Sequence, residues 1–254
     1  MSLEALIFDV DGTLADTERD GHRVAFNMAF ADAGLDWVWS EELYGKLLTV
    51  TGGKERIRYY LDTFNTDFTR PDNLDEFIAG LHQSKTDFYT QLLSEGGIPL
   101  RPGIERLLNE ARDAGLRLAI ATTTTPANVR ALLVNNLGED AESWFEVIAA
   151  GDVVPAKKPA PDIYTYAMDK MHITADKCIA FEDSYNGIKA TEGAGLRTII
   201  ATNGYTHDDD FDGAVAVLTN MGEPDAPFEV LQGDKALLEK KGYISVELLK
   251  QMFD

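Results

Sequence analysis

The run "DVDGTLADTE" sets two carboxylates, Asp9 and Asp11, two positions apart at the end of an apolar stretch, "EALIF". Carboxylates so placed repel each other, and folding alone gives no reason for them. They make sense where a hard cation or an anionic substrate has to be held, since carboxylates and other oxygen ligands suit such ions. Three other segments offer matching groups. Thr122, Thr123 and Thr124 close "LRLAIAT", Lys157 and Lys158 come just after "FEVIAAG", and Glu182 and Asp183 close "KCIAFED". Taken singly, each has an ordinary explanation. A D-x-D pair is usually a turn or a solvated pair, "KKP" a surface pair before a helix, and "ED" a helix cap. What favours chemistry is that all of them follow apolar runs, and that there are four such runs.

Those runs read as strands. Residues 4–8 form the first, buried on both faces, and "LRLAIAT", "FEVIAAG", "KCIAFED", "LRTIIAT" and "AVAVL" follow. Between them lie helical patterns: "GIERLLNEARDAG", "ANVRALLVNNLG", "PDIYTYAMDKM" and "NGIKATEGAG", with "SVELLKQMF" as a last helix. Apolar strands alternating with helices predict an α/β fold whose parallel sheet is covered on both faces. Ligands of such open sheets sit outside the carboxyl ends of the strands, where the carboxylates, hydroxyls and lysines above are expected to converge.

The segment from about residue 16 to residue 95 breaks the alternation. It contains helix-like stretches at three- and four-residue apolar spacing ("DGHRVAFNMAFADAG", "EELYGKLLTV", "GKERIRYYLDTF", "LDEFIAGLHQSKTDFYTQLLSE") and no convincing strand. It is far longer than the dozen or so residues a strand crossover needs. We therefore expect a core domain of residues 1–15 and 96–254, and an inserted helical cap of residues 16–95 hinged near Ala15-Asp16 and Gly96-Gly97. Such an insertion suggests a mobile lid over the strand ends.

The charge balance narrows the function classes. With 43 acidic and 23 basic residues the chain carries −20, a field that disfavours nucleic acid and anionic membranes as partners. A phosphate-bearing substrate would need cations gathered at its site. No apolar run approaches the roughly 20 residues that span a bilayer. The one cysteine, Cys178, lies in an apolar run, reads as a buried core residue and fits a reducing, cytoplasmic setting. Trp37, Trp39 and Trp144 read as core, and "HDDDFD" (207–212) as a solvated, helix-initiating run. A monomer is the default expectation.

Taken in order, "DVDGT", Thr122, Lys158 of "KKPAPDIY" and "FEDSYNG" resemble the four motifs of the haloacid dehalogenase (HAD) superfamily of phosphotransferases. The resemblance covers essentially the whole chain, and it implies a Rossmann-like core with a helical cap after the first strand. It also implies Mg²⁺, held by a side-chain oxygen of Asp9, the backbone carbonyl of Asp11, Asp183 and, through water, Glu182. The chemistry of these groups reads the same way. Asp9 is a carboxylate nucleophile that needs no activating base at neutral pH. Asp11 is placed to protonate the leaving alkoxide and then to deprotonate the attacking water. Thr122 and the Thr123 amide hold phosphoryl oxygens, and Lys158 neutralises charge on them. Thr124 and Asn128 join Thr123 as substrate-binding candidates.

The cap suggests what leaves. Glu18 and His22 in "DTERDGHR", Gly52, Gly53 and Lys54 in "TGGKER", and His82 and Lys85 in "LHQSKTDFY" resemble the CbbY-like branch of the superfamily. That branch is known for dephosphorylating xylulose 1,5-bisphosphate to xylulose 5-phosphate. The resemblance implies that Glu18 bonds sugar hydroxyls and that Lys54 and Lys85 grip the phosphate that stays. Two cationic loci, one in the core and one in the cap, suit a small sugar phosphorylated at both ends. One alternative is a β-phosphoglucomutase-like mutase, whose histidine lies one residue nearer the nucleophile, where this chain has Gly21. Another, of a different class, is a non-catalytic relative that only binds phosphometabolites.

Overall fold

The computed structural model describes residues 2–50 and 52–253, so Thr51 of "TGGKER" lies outside the described residues. The chain divides into two compact units, one joining the segment up to Asp16 to the segment from Pro99 onward, the other Thr17–Ile98.

In the larger unit, strands β1 (Ala5–Phe8), β2 (Arg117–Ala121), β3 (Val147–Ala149), β4 (Cys178–Glu182), β5 (Arg197–Ala201), β6 (Ala216–Leu218) and β7 (Val230–Gln232) form one sheet. Their order is β3-β2-β1-β4-β5-β6-β7. The first six run parallel, and β7 closes the edge antiparallel to β6. Every residue of β1 and β4 is buried, as befits central parallel strands covered on both faces. The register aligns Phe8 with Ile120 on one side and with Phe181 on the other. The Phe8 and Phe181 rings stack at 4.5 Å. The chain therefore leaves β1, β2 and β4 at nearly one level, with Asp9 just past Phe8.

Six helices belong to this unit among the described residues: α5 (Ile104–Asp113), α6 (Pro126–Leu137), α7 (Asp162–Met171), α8 (Tyr185–Gly193), α9 (Lys235–Leu238) and α10 (Val246–Phe253). Their starts and faces follow from local sequence. Thr125 caps α6 by accepting the Asn128 N–H, and Pro126 takes the first helical position, where its missing N–H does no harm. Ser184 caps α8 through the Gly187 N–H. In α5, Ile104, Leu107, Leu108 and Ala111 are buried, the spacing of a single apolar face.

Three local expectations are corrected. Residues 207–212 start no helix; they form turns, in which Asp209 accepts the Tyr185 N–H, Asp210 accepts the Asp212 N–H, and Phe211 is buried beside Ile188, Ile200 and Val217. Asp210 thus serves a donor of its own turn and Asp209 an N–H at the start of α8, roles that suit aspartate as well as a helix start does. Trp144 is only half-buried and lies under the Arg112 guanidinium, 3.7 Å from its ring centre, while Trp37 and Trp39 are core as expected. The pair β7 and α9 is an addition to the elements read from sequence.

The smaller unit is helical and, among the described residues, contains no strand. A π-helical turn (Glu18–His22) runs into α1 (Arg23–Asp32), followed by α2 (Glu41–Leu47), α3 (Gly53–Thr63) and the 21-residue α4 (Leu74–Ser94). Its core is aromatic: Phe26 and Phe30 pack on Trp39 with ring centres 4.7 and 4.8 Å apart, and Trp37 meets Phe30 and Tyr60 edge-on. The Asn27 side chain fixes Trp39 by bonding both its N–H and its carbonyl oxygen. No helix among the described residues is long and apolar enough to cross a membrane.

Candidate active site

The carboxyl ends of β2, β1, β4 and β5 lie side by side in the sheet, and the polar groups that follow them gather on one edge. Asp9 is 6% exposed, Glu182 1% and Asp183 7%. Lys158, from the loop between β3 and α7, donates to Asp9 Oδ1 at 2.6 Å and to Glu182 Oε1 at 2.5 Å. Lys157 turns elsewhere, to the Gly151 carbonyl and to Asp152. Burial works against the charge on Lys158, but Asp9 and Glu182 outweigh it and hold its pKa above the ordinary lysine range.

Asp9 and Asp183 are also shifted upward, which for them disfavours the charged form. Burial, reinforced by Glu182 and Asp11, raises Asp9 to about 7 against the pull of Lys158. Burial, with Glu182 and Asp9, raises Asp183 well above the usual carboxylate range, while Arg101 and Lys158 oppose the rise. Asp9, Glu182 and Asp183 each present a carboxylate oxygen, all within 4.8 Å of one another. Three buried carboxylates around one lysine are short of positive charge. An oxygen-only donor set of this kind fits a hard divalent cation of the Mg²⁺ type.

Neighbouring groups are arranged around that core. Both Glu182 oxygens are engaged: Oε1 accepts from Lys158 and from the Tyr164 hydroxyl at 2.5 Å, and Oε2 accepts the Asp183 N–H at 3.2 Å. A side chain at Gly187 would collide with that carboxylate, so α8 closes over it without a Cβ. Gly12 has φ +87, and a Cβ there would collide with Asp183 Oδ2, so this position requires glycine twice over. Asp11 is half-buried beside it. After β2, Thr122 and Thr124 are buried and Thr123 is exposed. Thr122 Oγ1 accepts the Thr124 N–H, and Thr124 Oγ1 accepts from Asn128 Nδ2 at 3.1 Å.

The candidates in the helical unit form groups of their own. Lys85 Nζ lies 2.7 Å from His22 Nδ1, and the His22 ring stacks on Tyr89 at 3.9 Å. Lys85 is buried, with its ammonium over the rings of Phe26 and Tyr89. His82 sits against Gly53, close enough to exclude a Cβ there. Burial first, then Lys85, Lys54 and His22, hold His82 below the ordinary histidine pKa. Gly52, at φ +97, precedes the first residue of α3, and Lys54 is exposed in that helix's first turn. Glu18 Oε2 accepts from the Tyr44 hydroxyl at 2.5 Å, which itself accepts from Arg56 Nη1 at 2.7 Å. A Cβ on Gly21 would meet Tyr89 and Ile98 at 2.7 and 2.5 Å, so a histidine at that position has no room in this packing.

Sequence reasoning passed over Tyr164, Asn203, Arg101, Tyr44 and Arg56. Tyr164 and Arg56 stand inside motifs quoted for other residues, "KKPAPDIY" and "TGGKER", so their place in those motifs was the available signal. Arg101 and Asn203 had no local signal.

Comparison with known proteins identifies the family. Residues 3–195 match the haloacid dehalogenase-like hydrolase family. The chain is 47% identical over 225 residues to the plasmid-encoded protein CbbY of Cupriavidus necator, covering 89% of this chain and 88% of that one. A crystal structure of a mutant CbbY from Rhodobacter sphaeroides in complex with xylulose-(1,5)bisphosphate matches with a TM-score of 0.76 and 48% identity, over 86% of this chain and 94% of that one. β-Phosphoglucomutase from Clostridium difficile matches with a TM-score of 0.67 over 99% of this chain and 97% of that one; at 20% identity the likeness is one of fold. The chain belongs to the haloacid dehalogenase-like hydrolases, among the relatives named CbbY.

Proposed function

We propose that this phosphoric monoester hydrolase acts on small phosphorylated sugars with Mg²⁺, through an aspartyl-phosphate at Asp9, and that its substrate is xylulose 1,5-bisphosphate, leaving xylulose 5-phosphate. The observation that carries this reading is the buried bridge of Lys158 between Asp9 and Glu182, with Asp183 beside it. The CbbY complex with xylulose-(1,5)bisphosphate supports the choice of substrate.

In the proposed reaction Asp9 attacks phosphorus with a carboxylate oxygen, and the bond from phosphorus to the sugar oxygen breaks. Asp11 gives its proton to that departing oxygen and then takes one from the water that attacks the aspartyl-phosphate. Phosphate leaves and Asp9 is restored. Lys158, locked in its charged form, offsets the negative charge spread over the phosphoryl oxygens, and Thr122 with the Thr123 N–H orients them. Glu182 aims Lys158 through Oε1, while Oε2, which holds the Asp183 N–H, has a lone pair left for a water. Asp9, Asp183 and the Asp11 carbonyl, with Glu182 through water, would hold Mg²⁺, which supplies charge neutralisation at the phosphoryl oxygens. Lys54, Lys85 and Glu18 are the residues proposed to recognise the rest of the sugar.

Phosphate release from a panel of ketose and aldose bisphosphates, phosphoglycolate and β-glucose 1-phosphate tests the substrate. We expect xylulose 1,5-bisphosphate to give the highest kcat/KM, and chelation of Mg²⁺ to abolish turnover. A rank among the poor substrates would refute the choice of sugar. Isomerisation of β-glucose 1-phosphate without phosphate release would show that the phosphoryl group passes to a sugar rather than to water.

A further inference from the structure

Asp183 follows β4, and a side chain from just beyond the neighbouring strand bonds its carboxylate. Asn203, two residues past β5, donates from Nδ2 to Asp183 Oδ2 at 2.7 Å. The orientation of that amide is fixed by its own turn. Asn203 Oδ1 accepts the Tyr205 N–H at 2.9 Å, so the amino end of the side chain must face Asp183. The Asn203 N–H in turn donates to Thr206 Oγ1 at 3.1 Å, and the Thr206 N–H returns to the Asn203 carbonyl at 3.2 Å. A flipped amide would place two oxygens face to face and two N–H groups together.

The backbone carrying Asn203 is fixed with equal care. Arg101 is 7% exposed; its two terminal nitrogens donate to main-chain carbonyls, and its Nε lies 3.4 Å from Asp16 Oδ1. Nη1 donates to Ala201 at 2.8 Å and to Gly12; Nη2 donates to Thr202 at 2.5 Å and to Thr219 at 2.9 Å. One side chain thus ties the end of β5 to the loop that carries Asp9 and Asp11. Gly12 completes the fit, because a Cβ there would lie 2.8 Å from Asn203 Nδ2 as well as against Asp183.

We infer that Asn203 is a positioning residue: from the end of β5, on a backbone clamped by Arg101, it sets the rotation of the Asp183 carboxylate for cation binding. The inference rests on the proposed role of Asp183 as a Mg²⁺ ligand. Partners of this kind, bonded to a metal-binding carboxylate, typically contribute about 10- to 100-fold in metal affinity.

Calorimetric titration of MgCl₂ into metal-stripped protein tests it without any substrate. Asn203→Ala should weaken Mg²⁺ binding about 10- to 100-fold, with a thermal midpoint in metal-free buffer close to wild type. Asn203→Leu, which fills the space but cannot donate, should behave alike and serves if the alanine variant folds poorly. Thr206→Val removes only the acceptor of the Asn203 N–H and leaves the Asn203–Asp183 bond in place, so it should lose clearly less affinity than either Asn203 variant. Binding within about twofold of wild type in both Asn203 variants would overturn the inference, as would an equal loss in Thr206→Val, which would trace the effect to the loop. Absence of Mg²⁺ binding in the wild type would instead overturn the metal reading, and this inference with it.

Discussion

Asp9→Asn will release phosphate at least about 10⁴-fold more slowly than wild type, a loss of the order seen when a covalent nucleophile is removed from a hydrolase. An amide of the same shape cannot form the bond to phosphorus, and Asp11, another carboxylate at the site, is assigned to proton transfer. Glu182 is engaged by Lys158, Tyr164 and its own chain, and Asp183 is turned to Asn203. The fold should survive. Burial already raises the Asp9 pKa to about 7, so the ionised side chain is costly there, and a neutral amide removes its repulsion with Glu182. Lys158 keeps Glu182 as its partner. Steady-state phosphate release together with the thermal midpoint separates the two effects: activity lost, midpoint changed little.

Lys158→Met should lower kcat by roughly 10²- to 10³-fold, the scale of losing one donor that stabilises charge in the transition state. Unlike the Asp9 substitution, it should also destabilise the protein. Removing one partner of a buried ion pair commonly costs about 3–5 kcal/mol, because the remaining charge is left without compensation. Here two carboxylates are stranded, one of them on the central strand β4. Methionine keeps the length and apolar contact of the lysine stem, so the loss is assigned to the ammonium. Kinetics at saturating Mg²⁺ and urea unfolding check the two halves. A variant with wild-type kcat would remove Lys158 from the chemistry.

Much of this architecture could be read from local sequence, and the parts that escaped it share a physical cause. The long apolar strands and amphipathic helices carry their periodicity with them, and the D-x-D, KKP and ED pairs follow strands directly. Strand β7, unlike the equally short β3 and β6, exposes two of its three residues and so has no apolar run to mark it. The acidic run at 207–212 was misread because aspartate suits a turn as well as a helix start. The supporting residues escaped for a different reason. Asn203 meets Asp183 across 20 residues of chain, and Arg101 reaches carbonyls 89 to 118 residues away. Those contacts exist because β1 inserts between β2 and β4, with β5 next, an order that no local pattern encodes. Gly21 shows the converse: its lack of a side chain was legible, but the reason, Tyr89 and Ile98 pressed against it, required coordinates.

The most direct measurement is a rapid acid quench of wild-type protein during its first turnover with xylulose 1,5-bisphosphate and Mg²⁺, followed by peptide mass analysis. A phosphoryl group should appear on the peptide bearing Asp9 before free phosphate accumulates, and should decay as water attacks. Free phosphate formed at the full rate with Asp9 never modified would contradict the account, since water would then be attacking the substrate itself.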